Sequence, residues 1–144
     1  MKKNVLIIGA GGVGAVAVHK CAQHNNVLGD ICIASRTVEK CEKIIDSVHR
    51  KNNLQDKTKK LYAKQLDASK SENVVKLIEE TNSAIVINVG TAFVNMPIMD
   101  ACLEAGAAYI DTAVHEEFDV INANTNSRSK QVLTRFLIKV EKKL

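Results

Sequence analysis

The sequence predicts an α/β fold built on a doubly wound parallel sheet, and two observations carry that prediction. Short apolar runs alternate with amphipathic stretches of helical spacing, one pair per roughly 30 residues, as right-handed strand–helix–strand crossovers require. The first run, Val5-Leu6-Ile7-Ile8, feeds directly into Gly9-Ala10-Gly11-Gly12-Val13-Gly14. That G-x-G-x-x-G spacing marks a strand, a tight turn and a helix start. At 144 residues and 46% hydrophobic, the chain suits one globular domain, which at this size buries roughly 68–70% of its unfolded surface.

The elements follow in order. After the glycines, Val13, Val16, Ala17, Lys20, Cys21 and His24 keep helical spacing, and Asn25-Asn26 ends the run. Ile31-Cys32-Ile33-Ala34 reads as a strand buried on both faces. Val38, Cys41, Ile44, Ile45 and Val48 return to helical periodicity, and His49 to Lys60 is a polar, solvated connection. Leu61 to Leu66 is a third strand, interrupted by Lys64 and Gln65. Ser69 and Glu72 form an S-x-x-E capping box ahead of a helix carrying Val74, Val75, Leu77 and Ile78. Ala84 to Val89 is the fourth strand. Pro97 suits the first turn of a helix that Gly106 stops in the left-handed region, and Ala108 to Thr112 is the fifth strand. The rhythm then breaks. Asn122 to Ser129 is linker-like, and Val132, Leu133, Phe136, Leu137 and Val140 lie on one side of an extra amphipathic helix.

Composition narrows the function classes. No stretch approaches the ~18 consecutive apolar residues of a membrane span, and Lys2-Lys3 precedes a strand rather than a signal peptide, so no membrane partner is expected. Cys21, Cys32, Cys41 and Cys102 lie far apart without a C-x-x-C pair; they read as reduced thiols of a cytoplasmic protein, and no metal site is expected. The net charge of +4 is all in the tail: residues 1–127 hold 14 Lys+Arg against 15 Asp+Glu, residues 128–144 hold 6 against 1. Lys51, Lys57, Lys59 and Lys60 make a second basic patch. With no Trp and 3% aromatic residues to stack bases, no nucleic-acid partner is expected.

The glycines point to dinucleotide binding. Gly9 permits the sharp turn, Gly11 lets the backbone approach a pyrophosphate, Gly14 allows close helix–strand packing, and Gly12 and Val13 open the helix whose N-terminus faces the anion. No Gly-Lys-Ser/Thr follows, so this is not a P-loop. The end of strand two decides between nicotinamide cofactors. An acidic residue there would accept from the ribose hydroxyls and repel a 2′-phosphate; this chain has Ser35-Arg36-Thr37, two hydroxyls and a guanidinium fork that suit the phosphate. The cofactor read from these residues is therefore NADP(H). In the competing reading Arg36 is a solvated loop residue and Thr37 a helix cap.

Asp67-Ala68 follows strand three, where Asp67 either accepts from the adenine amine or serves as a turn aspartate. Asn88, Val89, Gly90 and Thr91 follow strand four and line the crevice near the nicotinamide ribose, with Gly90 either a close-approach point or a hinge. Asp111, Thr112, His115, Glu116 and Glu117 form a polar cluster after strand five. Surface turn residues account for them better than a catalytic acid or base, and no catalytic residue is assigned. His19, His24 and His49 read as ordinary helix residues.

Read together, Asn4 to Gly14, Ala34-Ser35-Arg36-Thr37, Gln65-Leu66-Asp67-Ala68, Pro97 to Gly106 and Tyr109-Ile110-Asp111-Thr112-Ala113 resemble the saccharopine dehydrogenase family. The resemblance covers roughly residues 1–117. It implies a Rossmann-type NADP-binding domain, truncated after about strand five. It assigns Gly9, Gly11, Gly12, Val13 and Gly14 to the pyrophosphate, Ser35, Arg36 and Thr37 to the 2′-phosphate, and Asp67 and Ala68 to the adenine. It further implies an oxidoreductase of polyamine metabolism acting on CH–NH bonds: aspartate semialdehyde and a diamine condense to an imine that NADPH reduces. Small-molecule amine and aldehyde substrates and a homodimer belong to the full-length family.

From residue 118 the pattern departs from the family and turns Asn/Ser/Lys-rich. The expectation is a 1–117 NADP-binding domain and an atypical 118–144 tail, the substrate domain being absent through truncation or a frame shift. Such a chain holds NADPH with negligible reductase activity alone. The rival expectation is a non-catalytic dinucleotide-binding or sensor module that docks a partner through the tail; a structural α/β module without ligand is the third.

Overall fold

The computed structural model describes residues 3–112. Five strands, β1 (Asn4–Ile8), β2 (Ile31–Ser35), β3 (Leu61–Gln65), β4 (Ser83–Asn88) and β5 (Ala108–Asp111), alternate with four helices. These are α1 (Gly12–Gln23), α2 (Val38–Arg50), α3 (Ser71–Thr81) and α4 (Asn95–Ala105), the last preceded by a 3-10 turn at Ala92–Val94. The expected C-terminal helix, the 122–129 linker and His115, Glu116 and Glu117 lie outside the described residues.

All strand pairs are parallel, in the order β3-β2-β1-β4-β5. The chain works outward from β1 to β3 and then crosses back to β4, so the direction of winding reverses between β1 and β4. At that point the connections leave in opposite directions and open a crevice beyond the strand carboxyl ends.

The sheet is doubly wound. Val5, Ile7, Ile31 and Ile33 face Val18 and Ala22 of α1 and Cys41, Ile44 and Val48 of α2. Leu6, Ile8, Cys32, Ala34 and Val86 face Val74, Leu77 and Ile78 of α3 and Ile98, Ala101 and Cys102 of α4. Burial on both faces is why β1 and β2 are uninterrupted apolar runs. As the edge strand, β3 is only half-buried, and its interrupting Lys64 pairs with Glu80 of α3.

Two local expectations change. Ser69 does not cap α3: its hydroxyl donates to Asp67 Oδ1, the N-cap position is Lys70, and the helix begins at Ser71. The aspartate two residues earlier outcompetes the helix end for that hydroxyl, because the Asx-type turn is the more local closure. The connection after α2 is also not simply solvated. Leu54 is buried, and the fully buried Asn25 clamps Asp56, donating to its carbonyl at 2.8 Å and accepting from its N–H at 2.7 Å. The helix stops agree with expectation: Gly106 takes φ +73°, and Pro97 sits in the first turn of α4.

Candidate dinucleotide site

The crevice begins at the turn after β1. Gly9 has φ +119°, and a Cβ there would sit 2.8 Å from the Gly90 nitrogen and the Val89 carbonyl carbon. The loops after β1 and β4 therefore touch backbone to backbone, sealed by Val89 N–H to the Ile8 carbonyl at 2.9 Å. At Gly14 a Cβ would collide with the Gly9 carbonyl oxygen, so α1 can approach β1 only with glycine there. Gly11 and Gly12 differ: neither has positive φ, and a Cβ at either would meet nothing within 4 Å. Nothing among the described residues requires glycine at these two positions. Bare backbone beside open space at a helix start fits a pyrophosphate resting on the amides. Gly11 is the N-cap of α1, with no side-chain cap bond and no acidic residue in the first turn to compete with an anion.

The second part of the site lies at the end of β2. Ser35 Oγ donates to the Thr37 carbonyl at 2.7 Å and accepts from the Thr37 N–H at 3.2 Å and the Cys41 thiol at 3.3 Å. Its proton is committed within the turn, which leaves the Arg36 guanidinium and the Thr37 hydroxyl as the donors facing outward; both residues are exposed. Thr37 occupies the N-cap of α2 but its side chain makes no capping bond. Gln65 holds the loop by donating to the Arg36 carbonyl at 3.1 Å.

Asp67 lies beside this loop. Its Oδ1 accepts from the Ser69 hydroxyl at 2.6 Å and the Ser69 N–H at 3.1 Å. Those two bonds hold the carboxyl below its usual range, with Lys70 and Arg36 adding to the effect. The Ala68 side chain is buried in the core with Leu66.

At β4 the side chain of Asn88 is buried, 2% exposed, and points into the protein. It donates to Asn95 Oδ1 at 2.7 Å and to the Tyr109 hydroxyl at 3.2 Å, while its Oδ1 accepts from the Gly90 N–H at 3.0 Å. Tyr109 in turn donates to Asp111 Oδ2 at 2.9 Å, and burial pushes its phenol pKa well up. Asn88 thus shapes the Val89-Gly90-Thr91 loop from behind. Gly90 is tightly placed, since a Cβ would lie 3.2 Å from Asn88 Oδ1. Asn95 carries no signal in the sequence, and Tyr109 stands out there only within the segment that carries the family resemblance. A polar residue two positions before Pro97 and a tyrosine one residue ahead of Ile110 point to no polar network until β4, β5 and α4 are packed.

The sites after β1, β2, β3 and β4 therefore share the carboxyl edge of one sheet, with Asp111 and Thr112 at the end of β5 on the same edge. Among the described residues no cluster of His, Cys, Asp and Glu is arranged to hold a metal ion, and no helix is long and apolar enough to cross a membrane.

Comparison with known proteins gives the same outline. The family model described as "Saccharopine dehydrogenase NADP binding domain" matches residues 5–144. Carboxynorspermidine synthase of Vibrio alginolyticus is 57% identical over 110 residues, and carboxyaminopropylagmatine dehydrogenase of Synechocystis is 41% identical over 116. These matches cover 76% and 81% of this chain but 27% of each relative. Among solved structures, apo saccharopine dehydrogenase (L-Glu forming) from Saccharomyces cerevisiae superposes with TM-score 0.59 at 18% identity, covering 77% of this chain and 22% of that one. That likeness shows the shared Rossmann-like fold.

Proposed function

From the premise that the chain belongs to the saccharopine dehydrogenase family, through that family's NADP-binding domain, we propose that it grips NADP(H) along the carboxyl edge of β1 to β4. In this reading Gly11, Gly12, Val13 and Gly14 present amides to the pyrophosphate, and Gly9 makes the turn. Arg36 and Thr37 take the 2′-phosphate, with Ser35 bracing their loop; Asp67 and the Ala68 backbone border the adenine. The Val89-Gly90-Thr91 loop, braced by Asn88, lies beside the nicotinamide ribose. Bound NADPH supplies a hydride. The chain's own residues bind the cofactor, orient it and keep its phosphates on the helix end.

The finer reading rests on the relatives' names and on the residues shared with them. It makes this chain the cofactor-holding part of a carboxynorspermidine-forming oxidoreductase, in which an aldehyde and a diamine condense and the imine carbon is reduced. The chain spans about a quarter of those relatives' length, and we place the groups that hold the amine and aldehyde in the length it does not span. In this reading residues 1–117 carry the cofactor-binding motifs. Hydride transfer needs the imine positioned against the nicotinamide, so the chain alone binds NADPH and turns over negligibly.

The observation that carries the proposal is the pair Gly11 and Gly12, glycines that no contact among the described residues demands. Titration with NADPH and NADH, read by nucleotide fluorescence, tests it. Saturable binding that is tighter for NADPH is expected; no binding, or equal affinity for both, overturns the site. Robust NADPH oxidation with aspartate semialdehyde and a diamine would overturn the expected lack of turnover.

A further inference from the structure

The hydrogen-bond chain behind the β4 loop has a fixed sense. Asn88 and Asp111 are register partners on β4 and β5, and Tyr109, two residues before Asp111, shares its face of the sheet. Three bonds run in series. The Gly90 N–H donates to Asn88 Oδ1 at 3.0 Å, Asn88 Nδ2 donates to the Tyr109 hydroxyl at 3.2 Å, and that hydroxyl donates to Asp111 Oδ2 at 2.9 Å. Neither end can reverse. A backbone N–H only donates and a carboxylate only accepts, so the phenol gives its proton to Asp111 and takes one from Asn88. The Asn88 amide must then keep Nδ2 toward Tyr109 and its oxygen toward Gly90. Asn95 Oδ1 accepts from the same Nδ2 at 2.7 Å, but an amide carries both a donor and an acceptor and so does not set the sense. Burial, with Asp111 acting the same way, pushes the phenol pKa up, which keeps the hydroxyl proton in place at neutral pH.

We infer that Tyr109 and Asp111 are positioning residues of the cofactor crevice, acting through Asn88 to fix the Gly90 amide and with it the wall on which the nicotinamide end seats. This role rests on the reading that puts the Val89-Gly90-Thr91 loop beside the nicotinamide ribose. The loop has little slack: a Cβ at Gly90 would lie 3.2 Å from Asn88 Oδ1, and one at Gly9 would lie 2.8 Å from the Gly90 nitrogen. Bonds in series in a buried setting also strengthen one another, so a change at Asp111 is felt at Gly90. The opposite end of the site is out of reach. Arg36 and Thr37 follow β2, three strands from β5 in the order β3-β2-β1-β4-β5, roughly 14 Å at the usual strand spacing.

Two near-isosteric variants of the full 144-residue chain test this role. Tyr109→Phe removes one oxygen, and Asp111→Asn replaces the obligate acceptor with an amide that can also donate. NADPH binding, read by nicotinamide fluorescence, should weaken roughly 2- to 10-fold in each, the order of one neutral hydrogen bond. Adenosine 2′,5′-bisphosphate, which carries the 2′-phosphate and no nicotinamide, should bind both variants as it binds wild type. By NMR the Gly90 amide should exchange severalfold faster relative to the Leu6 and Ile7 amides of β1, which report on opening of the fold as a whole. Equal loss of both ligands, or a lowered melting temperature with neither affinity changed, overturns the positioning role and leaves the two side chains as packing. Gly90 exchange at the wild-type rate in both variants overturns it as well. A wild-type chain that binds neither nucleotide overturns the cofactor reading instead, and the Gly90 exchange then still decides whether Tyr109 and Asp111 hold the loop.

Discussion

Gly12 and Gly14 stand two residues apart and are glycine for opposite reasons. A Cβ at Gly14 strikes the Gly9 carbonyl oxygen, whereas one at Gly12 meets open space. Gly14→Ala should therefore cost about 1–3 kcal/mol as overpacking, seen as a lowered melting temperature. Gly12→Ala should leave stability unchanged or raise it by up to about 1 kcal/mol, yet weaken NADPH binding at least tenfold. A Gly12→Ala protein that melts early and binds normally would reverse both assignments. Arg36 carries the cofactor choice. Charge-assisted hydrogen bonds contribute about 1.5–3 kcal/mol, so Arg36→Asp should weaken NADPH by roughly 10- to 100-fold and NADH far less, as read by the same titration. The glycine spacing and Arg36 were legible because each is a local chemical statement. That Ser35 spends its proton on Thr37 was not, since it depends on the rotamer the turn selects.

Elements are held to one another by a few buried polar side chains that periodicity does not reveal. Asn88 links β4 to α4 and β5, and its truncation to Ala removes the donor to Asn95 Oδ1 and the Tyr109 hydroxyl and the acceptor of the Gly90 N–H. Losing a buried hydrogen-bonding network of this kind costs about 1–3 kcal/mol, so Asn88→Ala should lower stability by that order and loosen the Gly90 loop, measurable by chemical denaturation and by a weaker NADPH signal. His19 joins α1 to α2. Its Nδ1 lies 2.8 Å from the Asn53 amide and its Nε2 3.2 Å from Ser47 Oγ, an arrangement that suits the neutral ring. Burial first, and Lys51 second, lower its pKa from 6.5. With the folded value below the unfolded one, the unfolded chain binds more protons in between, so stability is full above pH 6.5 and declines as pH falls through the folded pKa. Melting curves from pH 8 to 5 should show that slope, and His19→Gln should flatten it. The strands and helices were readable from period and punctuation, whereas the Ser69 capping box was misread because Asp67 competes for the same hydroxyl.

At the scale of the whole molecule, a ligand that binds only the folded state stabilises it by mass action, about 2.7 kcal/mol at a hundredfold excess over the dissociation constant. NADPH should raise the melting temperature of the full chain by several degrees, and NADH at the same concentration by less. No shift with either nucleotide would favour the reading of a structural α/β module without ligand. The sequence by itself determined the parallel α/β architecture, the order of its elements and the glycine and Ser-Arg-Thr chemistry at two strand ends, because each is written within a few neighbouring residues. Only the tertiary structure decided which glycines the described fold requires and which it leaves open, that Asn88 faces inward, and that Ile87 of β4 and Ile110 of β5 fall side by side. Those facts arise where Gly9 meets Val89, Asn88 meets Tyr109 and Ile87 lies beside Ile110. Such meetings depend on strand register and helix placement across the whole chain, which no short stretch of residues encodes.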